Sequence, residues 1–385
     1  MQRVIVAPDS FKESLKASQV ARQISAGVKT LYPAAEIIQV PLSDGGEGIT
    51  EALIEAAGGR LIEAKVTGPL GEKIKAQYGI LENGRIAVIE MAAASGLPLL
   101  PRKKRNPMLT TTQGTGELIK AALEAGCEKL IIGIGGSATN DGGAGMAQSL
   151  GVKLLDSRGK DIGPGAKGLL DLSHIDMSHL DPRLDQTEIL VACDVDNPLY
   201  GLNGAAYVYG PQKGASLDMI PLLDRALVNL AEIISRDLKL QVHHVPRAGA
   251  AGGLGAGLIA FAGGKLCSGI QLVFEILGFE DILAAGADLV ITGEGSINSQ
   301  SLYGKVPVGV ARMAKKYDLP VLALVGQIGR GADKVYEAGI DAIMTVAPGP
   351  ISLKESIGRA GELISDATIR ALRMIAIGYN YPSRS

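Results

Sequence analysis

A glycine-rich segment in the middle of the chain, residues 133–145, constrains the fold more than any other stretch. It contains Gly-Ile-Gly-Gly-Ser-Ala-Thr-Asn-Asp-Gly-Gly-Ala-Gly and follows the apolar run Lys129–Ile132, which is typical of a buried strand. The residues after it, 146–150, are expected to form a helix. Glycine permits positive φ angles and has no Cβ, so successive N–H groups can converge on an anion. The pattern predicts a phosphate-binding loop, in which Asp141 would suit a bridging Mg²⁺.

A dinucleotide-binding fingerprint is an alternative interpretation of the same segment. Gly133, Gly135 and Ala138 have the spacing of its loose form, and Asp156 follows at about the right distance for a ribose hydroxyl. However, residues 140–143 would then form the first turn of the helix, where their paired glycines are unfavourable. An NAD-dependent dehydrogenase therefore stays open as an alternative.

The composition excludes several classes of protein. Hydrophobic residues make up 46% and charged residues 20% of the 385 residues, enough for cores in two or three domains. The net charge is −2 without long runs of one sign, which argues against a nucleic-acid or membrane-surface partner. We expect no signal peptide before the first strand and no membrane span. The scattered Cys127, Cys193 and Cys267 indicate reduced thiols in a cytoplasmic protein.

Both ends of the chain alternate strands and helices, as in a parallel sheet covered by helices. The predicted strands of these parts are 4–7, 37–40, 289–292, 321–325 and 342–346. The region between them begins with antiparallel strands, one pair joined at Asn83-Gly84. We predict an α/β fold. Residues 1–59 and 280–385 would form a discontinuous flavodoxin-like, or Rossmann-like, parallel-sheet domain, and residues 60–279 an inserted mixed α/β domain.

Ligands of such sheets bind beyond the carboxyl ends of the strands. The predicted loops at that edge are polar or rich in glycine, and they are residues 9–14, 43–48, 293–300 and 326–328. The inserted domain is expected to face them. The sequence therefore predicts an active site in the interdomain cleft.

These loops contain acids, lysines and glycines but no histidine, so they do not indicate Ser–His–Asp or Cys–His catalysis. They fit phosphoryl transfer, in which Mg²⁺ and positive groups hold the phosphates and an Asp accepts the proton of the attacking hydroxyl. No Walker A sequence occurs in the chain, which excludes an ordinary P-loop kinase.

Several motifs, taken together and in order, resemble the type-1 glycerate kinases. They are residues 7–15, 41–48, 133–145, 192–199, 249–257 and 292–295. The similarity extends from the first residues to about Gly378. The resemblance implies ATP-dependent phosphorylation of D-glycerate, most often to 2-phosphoglycerate, with ATP and Mg²⁺ as cofactors. It also implies a Rossmann-like domain made of both chain ends and an inserted α/β domain.

For such a reaction we assign roles as follows. Asp194 is the first choice for the general base and Asp44 the second. The expected catalytic residues are Asp194, Asp44, Lys12 and Asn298. The expected substrate-binding residues are Ser10, Lys12, Asp44 and Gln300. The expected nucleotide- or phosphate-binding residues are Gly135, Gly136, Ser137, Asn140, Gly293, Gly295, Lys213 and Lys305. The expected metal ligands are Asp141 and Glu294.

One position departs from the family pattern. Members usually carry Asp where this chain has Asn298. An amide is neither a base nor an anionic Mg²⁺ ligand, so a slow enzyme, an altered substrate or a non-catalytic sugar-acid-binding relative stays open. The expected partners are D-glycerate and a nucleotide, with no nucleic acid and no membrane. The sequence does not decide whether the 2-hydroxyl or the 3-hydroxyl of glycerate accepts the phosphoryl group. It also leaves open whether the protein forms a homo-oligomer.

Overall fold

The computed structural model describes residues 1–11, 14–43, 48–82, 84–302 and 304–380. Two predicted catalytic residues, Lys12 and Asp44, lie outside these ranges, as does Asn83 of the predicted turn. The described strands are β1 (Arg3–Val6), β2 (Glu36–Gln39), β3 (Gly59–Thr67), β4 (Lys73–Leu81), β5 (Ile86–Glu90), β6 (Lys129–Gly133), β7 (Lys153–Leu155), β8 (His174–Asp176), β9 (Glu188–Ala192), β10 (Lys265–Cys267), β11 (Leu289–Ile297), β12 (Val321–Ile328) and β13 (Ala342–Thr345).

The described α-helices alternate with these strands over much of the chain. They are α1 (Ala17–Leu31), α2 (Ile49–Ala57), α3 (Ala92–Ser95), α4 (Gln113–Glu124), α5 (Ala144–Ser149), α6 (Gly165–Leu169), α7 (Ala205–Tyr209), α8 (Ile220–Leu238), α9 (Ala250–Ala262), α10 (Gly269–Ile276), α11 (Phe279–Ala284), α12 (Val306–Ala314), α13 (Leu353–Gly358) and α14 (Ala360–Asn380). Within the described ranges, no helix is both long and apolar enough to cross a bilayer.

The chain divides into two compact units. The first combines Met1–Asp44 with Ile270–Ser385, and the second is Gly45–Gly269. The strands described in the first unit form a parallel sheet with the order β13-β12-β11-β1-β2. Counted within this unit, the order is 2-1-3-4-5, which is the flavodoxin-like order. The predicted fold, a flavodoxin-like domain made of both chain ends with an inserted α/β domain, is confirmed.

Helices cover both faces of the sheet in the first unit. The β1–α1–β2 connection moves toward one edge of the sheet and the β11–α12–β12 connection toward the other edge. Because both crossovers are right-handed, α1 and α12 lie on opposite faces. Val20, Ile24 and Val28 recur at helical spacing on α1 and are fully buried. Helix α14 packs against α1, and a Cβ on Gly27 would lie 2.7 Å from a backbone oxygen of α14. The two helices therefore cross in close contact.

The second unit contains a mixed sheet with the order β10-β9-β6-β5-β4-β3. Strands β5, β6, β9 and β10 are parallel, whereas β4 is antiparallel to both β3 and β5, as the hairpin pattern predicted. Helix α2 packs on β3, β4 and β5, although its sequence position suggested the N-terminal domain. Gly79 on β4 makes room for this helix, because a Cβ there would lie 2.8 Å from the Ile54 side chain.

Some predicted loops and helices of the first unit were wrong in detail. Strands β11 and β12 continue through most of the predicted loops 293–300 and 326–328, and Ser296 still pairs with Gln327. Glycines, which are depleted in strands, hid this continuation. Where the alternation calls for a helix between β12 and β13, the chain forms only a short 3₁₀ turn, Ala332–Val335, and the helical segment after β13 is divided into α13 and α14.

Candidate active site

A row of residues in register marks the edge of the second unit's sheet where its parallel strands end. Glu90 on β5 pairs with Gly133 on β6. Gly133 also pairs with Ala192 on β9, which pairs in turn with Cys267 on β10. The segments that follow leave the sheet side by side, at the edge where parallel sheets bind ligands. The structure thereby brings the glycine-rich loop and Asp194 to neighbouring strand ends.

The glycine-rich loop has an exposed front and a buried rear. Gly135 and Gly136, which we call the glycine turn, are exposed, whereas residues 137–141, the buried segment, are all buried. Gly136 has a φ of +70°, which favours glycine, and a Cβ there would approach only the Ala92 side chain, at 3.3 Å. Of the residues predicted to bind phosphate in this loop, Gly135 and Gly136 are therefore accessible to a ligand, whereas Ser137 and Asn140 are buried.

Asp141 is fully buried at the rear of the loop. One carboxylate oxygen accepts hydrogen bonds from the N–H and the hydroxyl of Thr112, both at 2.8 Å, and the N–H groups of Gly143 and Gly145 donate to the carboxylate at 3.3 Å. Burial raises the pKa of Asp141, and these donors oppose that shift. The side chain thus holds the loop and the start of α5. This geometry does not favour the predicted role as a Mg²⁺ ligand.

Lys213 lies against the same buried segment and is only 2% exposed. Its ammonium donates to the backbone oxygen of Thr139 at 2.6 Å and to the hydroxyl of Ser137 at 3.3 Å. Burial lowers the pKa of Lys213 to about 7, and the charge of Asp141 opposes that shift. Lys213, which was predicted to bind phosphate, therefore donates its hydrogen bonds to oxygen atoms of the loop itself.

A second glycine-rich segment, 249–257, packs directly on this loop. Most of this segment, one of the motifs of the family resemblance, belongs to α9. The helix is interrupted at Ala251, Gly252 and Gly253, which have φ angles of 54°, 71° and 86°. Gly252 accepts a hydrogen bond from the Gly142 N–H, and a Cβ on Gly257 would lie 2.4 Å from the Gly142 oxygen. The glycines permit this close contact, which the composition alone did not reveal.

Asn140 is the least satisfied polar side chain of the loop. It is fully buried, and neither its Oδ1 nor its Nδ2 atom has a hydrogen-bond partner among the described residues. A buried amide without partners costs about 1–3 kcal/mol. Such atoms are satisfied by water or by a ligand that reaches them, so Asn140 stays a candidate binding residue.

Asp194 follows β9, and its side chain is partly buried. One carboxylate oxygen accepts hydrogen bonds from the Ser268 hydroxyl at 3.3 Å and from the Gly269 N–H at 3.1 Å. These donors follow β10, the neighbouring strand. They fix the carboxylate at the carboxyl edge of the sheet, which suits a base that must meet a substrate hydroxyl.

The predicted residues of the first unit form a separate cluster at the end of β11. Glu294 is 4% exposed and accepts hydrogen bonds from the Ser301 hydroxyl at 2.6 Å and the Lys305 ammonium at 3.0 Å. Lys305 also precedes α12 as its N-cap residue. Glu294 and Lys305 thus neutralise each other. In the described parts of both units, no group of three or more His, Cys, Asp or Glu side chains is arranged to hold a metal ion.

Asn298 shapes the turn that follows β11. Its Oδ1 accepts a hydrogen bond from the Gln300 N–H at 2.8 Å, and its own N–H donates to the Ser301 hydroxyl at 3.2 Å. This is an Asx turn, which Asn and Asp form equally well. Gln300 itself is exposed.

The remaining predicted residues of the first unit lie near the ends of β1 and β11. The Asp9 N–H donates to the Gly293 oxygen at 2.9 Å, and the Ser10 N–H donates to an Asp9 carboxylate oxygen at 2.6 Å. Gly293 and Gly295, predicted to lie in a phosphate loop, are strand residues of β11. Ser10 thus lies near the point between β1 and β11 at which the strand order of this sheet reverses.

Sequence reasoning missed two groups at the second unit's edge. The first is the buried threonine run 110–112, in which Thr112 binds Asp141 and the Thr110 hydroxyl donates to the Ala138 oxygen at 2.8 Å. The second is Glu90, whose carboxylate accepts the Gly48 and Thr50 N–H groups at the start of α2. The sequence signal for the first group was a run of hydroxyl residues before a helix. The signal for the second was an acid at the end of an apolar strand.

The geometry does not support the dinucleotide alternative. Strand β7, which follows α5, pairs only with β8 among the described strands, in a sheet separate from β6. The Asp156 carboxylate binds the Arg158 side chain and the Lys160 N–H in an exposed turn. The acid expected to hold a ribose is therefore not beside the glycine-rich loop.

Comparisons with known proteins agree on one family. A sequence profile of the glycerate kinase family matches residues 4–376. Glycerate kinase of Bacillus subtilis is 52% identical over 94% of both chains, and glycerate 2-kinase of Escherichia coli is 52% identical over 98% of both. A crystal structure assigned as glycerate kinase 2 from Salmonella typhimurium LT2 is 48% identical, with a TM-score of 0.90 over 99% of this chain and 100% of its own. This chain is an enzyme that belongs to the glycerate kinase family.

Proposed function

We propose that the enzyme transfers the γ-phosphoryl group of ATP to D-glycerate and forms 2-phosphoglycerate. The observation that carries this proposal is the identity of 52% with a glycerate 2-kinase over 98% of both chains. The second unit supports it, because it offers a glycine turn and a fixed carboxylate at neighbouring strand ends. Those are the groups that phosphoryl transfer needs for phosphate oxygens and for the attacking hydroxyl.

The glycine turn is our candidate for the phosphates of the nucleotide. Gly135 and Gly136 are exposed and follow β6, and Ser137 is fixed behind them. Backbone N–H groups in such a turn bind anions without needing a side chain. Gly293, Gly295 and Lys305 are weaker candidates, because β12 pairs with the glycine strand and Glu294 pairs with the lysine.

Asp194 is our candidate for the general base. Its carboxylate would accept the proton of the C2 hydroxyl as the hydroxyl oxygen attacks the γ-phosphorus, and ADP would leave. Hydrogen bonds from Ser268 and Gly269 keep the carboxylate in position. We keep Ser10, Lys12, Asp44 and Gln300 as proposed substrate contacts, of which Lys12 and Asp44 lie outside the described residues.

We propose that Mg²⁺ arrives with the nucleotide. Mg²⁺ usually keeps several waters and binds proteins through one or two carboxylates plus the phosphates. Asp141 and Glu294 are buried and already accept hydrogen bonds, so they do not fit as its main ligands. When bound, the ion would neutralise phosphate charge. The three cysteines are free, which fits the reducing cytoplasm, and we place the enzyme there.

The experiment compares two acids that are two residues apart. With ATP, Mg²⁺ and D-glycerate, the enzyme should release ADP, and ³¹P NMR should identify 2-phosphoglycerate. Asp194→Asn should lower kcat by about 10²-fold or more. The control is Asp196→Asn, because the Asp196 side chain is 76% exposed, and it should keep kcat within about threefold. A wild-type enzyme without ADP release contradicts the reaction, and an active Asp194→Asn contradicts the base.

A further inference from the structure

The inference concerns the buried Lys213 of the second unit and the atoms to which its ammonium group donates hydrogen bonds. The Lys213 ammonium donates to Thr139 and Ser137 on the buried segment, and Ser137 directly follows the glycine turn. The Ser137 hydroxyl also donates to the Ala251 oxygen at 3.1 Å and accepts from the Thr139 N–H at 3.2 Å. One ammonium and one hydroxyl therefore tie three chain segments together immediately behind the turn.

The cost of this arrangement suggests that it serves function. A buried lysine loses hydration that the hydrogen bonds of two neutral oxygens replace only in part. Ala251, a residue with a side chain, has a φ of 54°, and such strained residues are concentrated at functional sites. The strain and the buried charge lie within one network around Ser137. A turn that only joined β6 to α5 would need neither.

We propose that Lys213 is a positioning residue, whose ammonium holds Ser137 and Thr139 so that the glycine turn presents its N–H groups to the phosphoryl group being transferred. The assignment rests on the proposed function. It differs from a phosphate contact, because the side chain is 2% exposed and its described hydrogen bonds end on the loop's own oxygens. Lys213 acts through the turn and does not touch the substrate.

One charged group acts on this lysine, and a second lies beside the residue that precedes it in the chain. Asp141 acts on it through space, while its own oxygens accept hydrogen bonds from the loop and Thr112. The half-buried Arg105 donates from its guanidinium to the backbone oxygen of Gln212 at 3.3 Å, next to Lys213 in the chain. The Asp141 charge favours the ammonium form of Lys213, yet burial outweighs this influence.

The position of the lysine predicts opposite pH trends for activity and for stability. Burial lowers the pKa of Lys213 from 10.5 to about 7. As the pH rises through about 7, the amine loses its charge and the hold on Ser137 weakens, so activity should fall. Between the folded and the unfolded pKa, the unfolded chain binds more protons at this lysine. The contribution of Lys213 to stability therefore rises with pH over that range.

The test uses the full-length enzyme with ATP, Mg²⁺ and D-glycerate, measured from about pH 6 to pH 9 on either side of that pKa. Lys213→Met keeps the apolar stem but leaves Asp141 buried without its counter-charge, which can prevent folding. The decisive variant is therefore the double substitution Lys213→Met with Asp141→Asn, which removes both charges. kcat, KM for ATP and the unfolding temperature are recorded for each protein.

We expect the wild-type activity to decline above about pH 7, and the double variant to lose that decline while its kcat falls by about tenfold or more. The unfolding temperature of the wild type should rise relative to the double variant over the same pH range. A folded double variant with the kcat or the alkaline decline of the wild type overturns the proposal. A wild type that releases no ADP with D-glycerate overturns the proposed function, and this assignment with it.

Discussion

The two glycine-rich regions that follow an apolar strand, residues 133–145 and residues 293–295, both begin with Gly-x-Gly but have different structures. In the first, the strand ends at Gly133 and the chain enters an exposed turn with a left-handed residue, Gly136. In the second, β11 continues to Ile297, and Gly293 pairs with Leu324 on β12. The first region exposes the glycine turn to a ligand, and the second has its backbone in the sheet.

The difference shows that glycine serves two purposes in this molecule. In the turn, glycine permits a positive φ. In β11 it permits close approach, because a Cβ on Gly293 would lie 2.4 Å from the Leu324 oxygen. Both regions begin with Gly-x-Gly after an apolar strand, so this local pattern does not distinguish the two uses. What separates them is whether a neighbouring strand is long enough to pair with the glycines, and that is a tertiary property.

The largest effect is expected where both purposes coincide, at Gly252. Its φ is +71°, and a Cβ would lie 2.0 Å from the Thr139 oxygen. Gly252→Ala should therefore lower the free energy of unfolding by about 3 kcal/mol or more, from strain and overlap together. The control is Gly263→Ala, because Gly263 has a similar φ of +66° and, apart from its chain neighbours, no atom of the described residues lies within 4 Å of the Cβ position. The control should cost about 1 kcal/mol.

Urea unfolding of both variants checks this prediction. If Gly252→Ala is no less stable than Gly263→Ala, the two glycine-rich segments of the second unit do not pack as tightly as described. Activity gives a second readout, since displacing Thr139 would also disturb the buried segment that Lys213 contacts.

Much of the fold was predictable, because it depends on periodicity within short segments. The strand β1 and the helix α1 have the expected spacing of apolar residues, and the alternation at both chain ends indicated a parallel sheet. The position of α2 was harder to predict. The sequence suggested the N-terminal domain, whereas the helix packs on the sheet of the second unit. Its amphipathic pattern is the same whichever sheet it covers, and its packing site is marked by Gly79 on β4 and Glu90 on β5.

The site was less predictable, because its residues depend on contacts between distant segments. Asp194 was identifiable as an acid directly after an apolar strand. Asp141 and Lys213 were predicted to contact ligands, but their partners, Thr112 and Thr139, lie 29 and 74 residues away. Burial of a charged side chain has no local signature in the sequence. The same residue types in a glycine-rich segment can therefore face a ligand or support the loop.

A pair of alanine substitutions separates the two uses of glycine directly. Gly136→Ala should cost only about 1 kcal/mol of stability but raise KM for ATP about tenfold, because the turn would hold phosphate less well. Gly293→Ala should cost about 2 kcal/mol of stability through overlap with β12 and leave KM for ATP nearly unchanged. Unfolding curves and ATP titrations of both variants measure this. The opposite pattern would assign the phosphates to the first unit.

The smallest effect is expected at Asn298, the position where the resemblance led us to expect Asp. Its Oδ1 accepts the Gln300 N–H, and an aspartate oxygen can accept the same bond. Asn298→Asp should therefore keep kcat within about twofold, whereas Asn298→Ala should lose about 1 kcal/mol of stability with the turn. ADP-release assays and urea unfolding on the three proteins test this. A large gain of activity in Asn298→Asp would mean that a carboxylate there acts as a base or metal ligand, and that the end of β11 takes part in the chemistry.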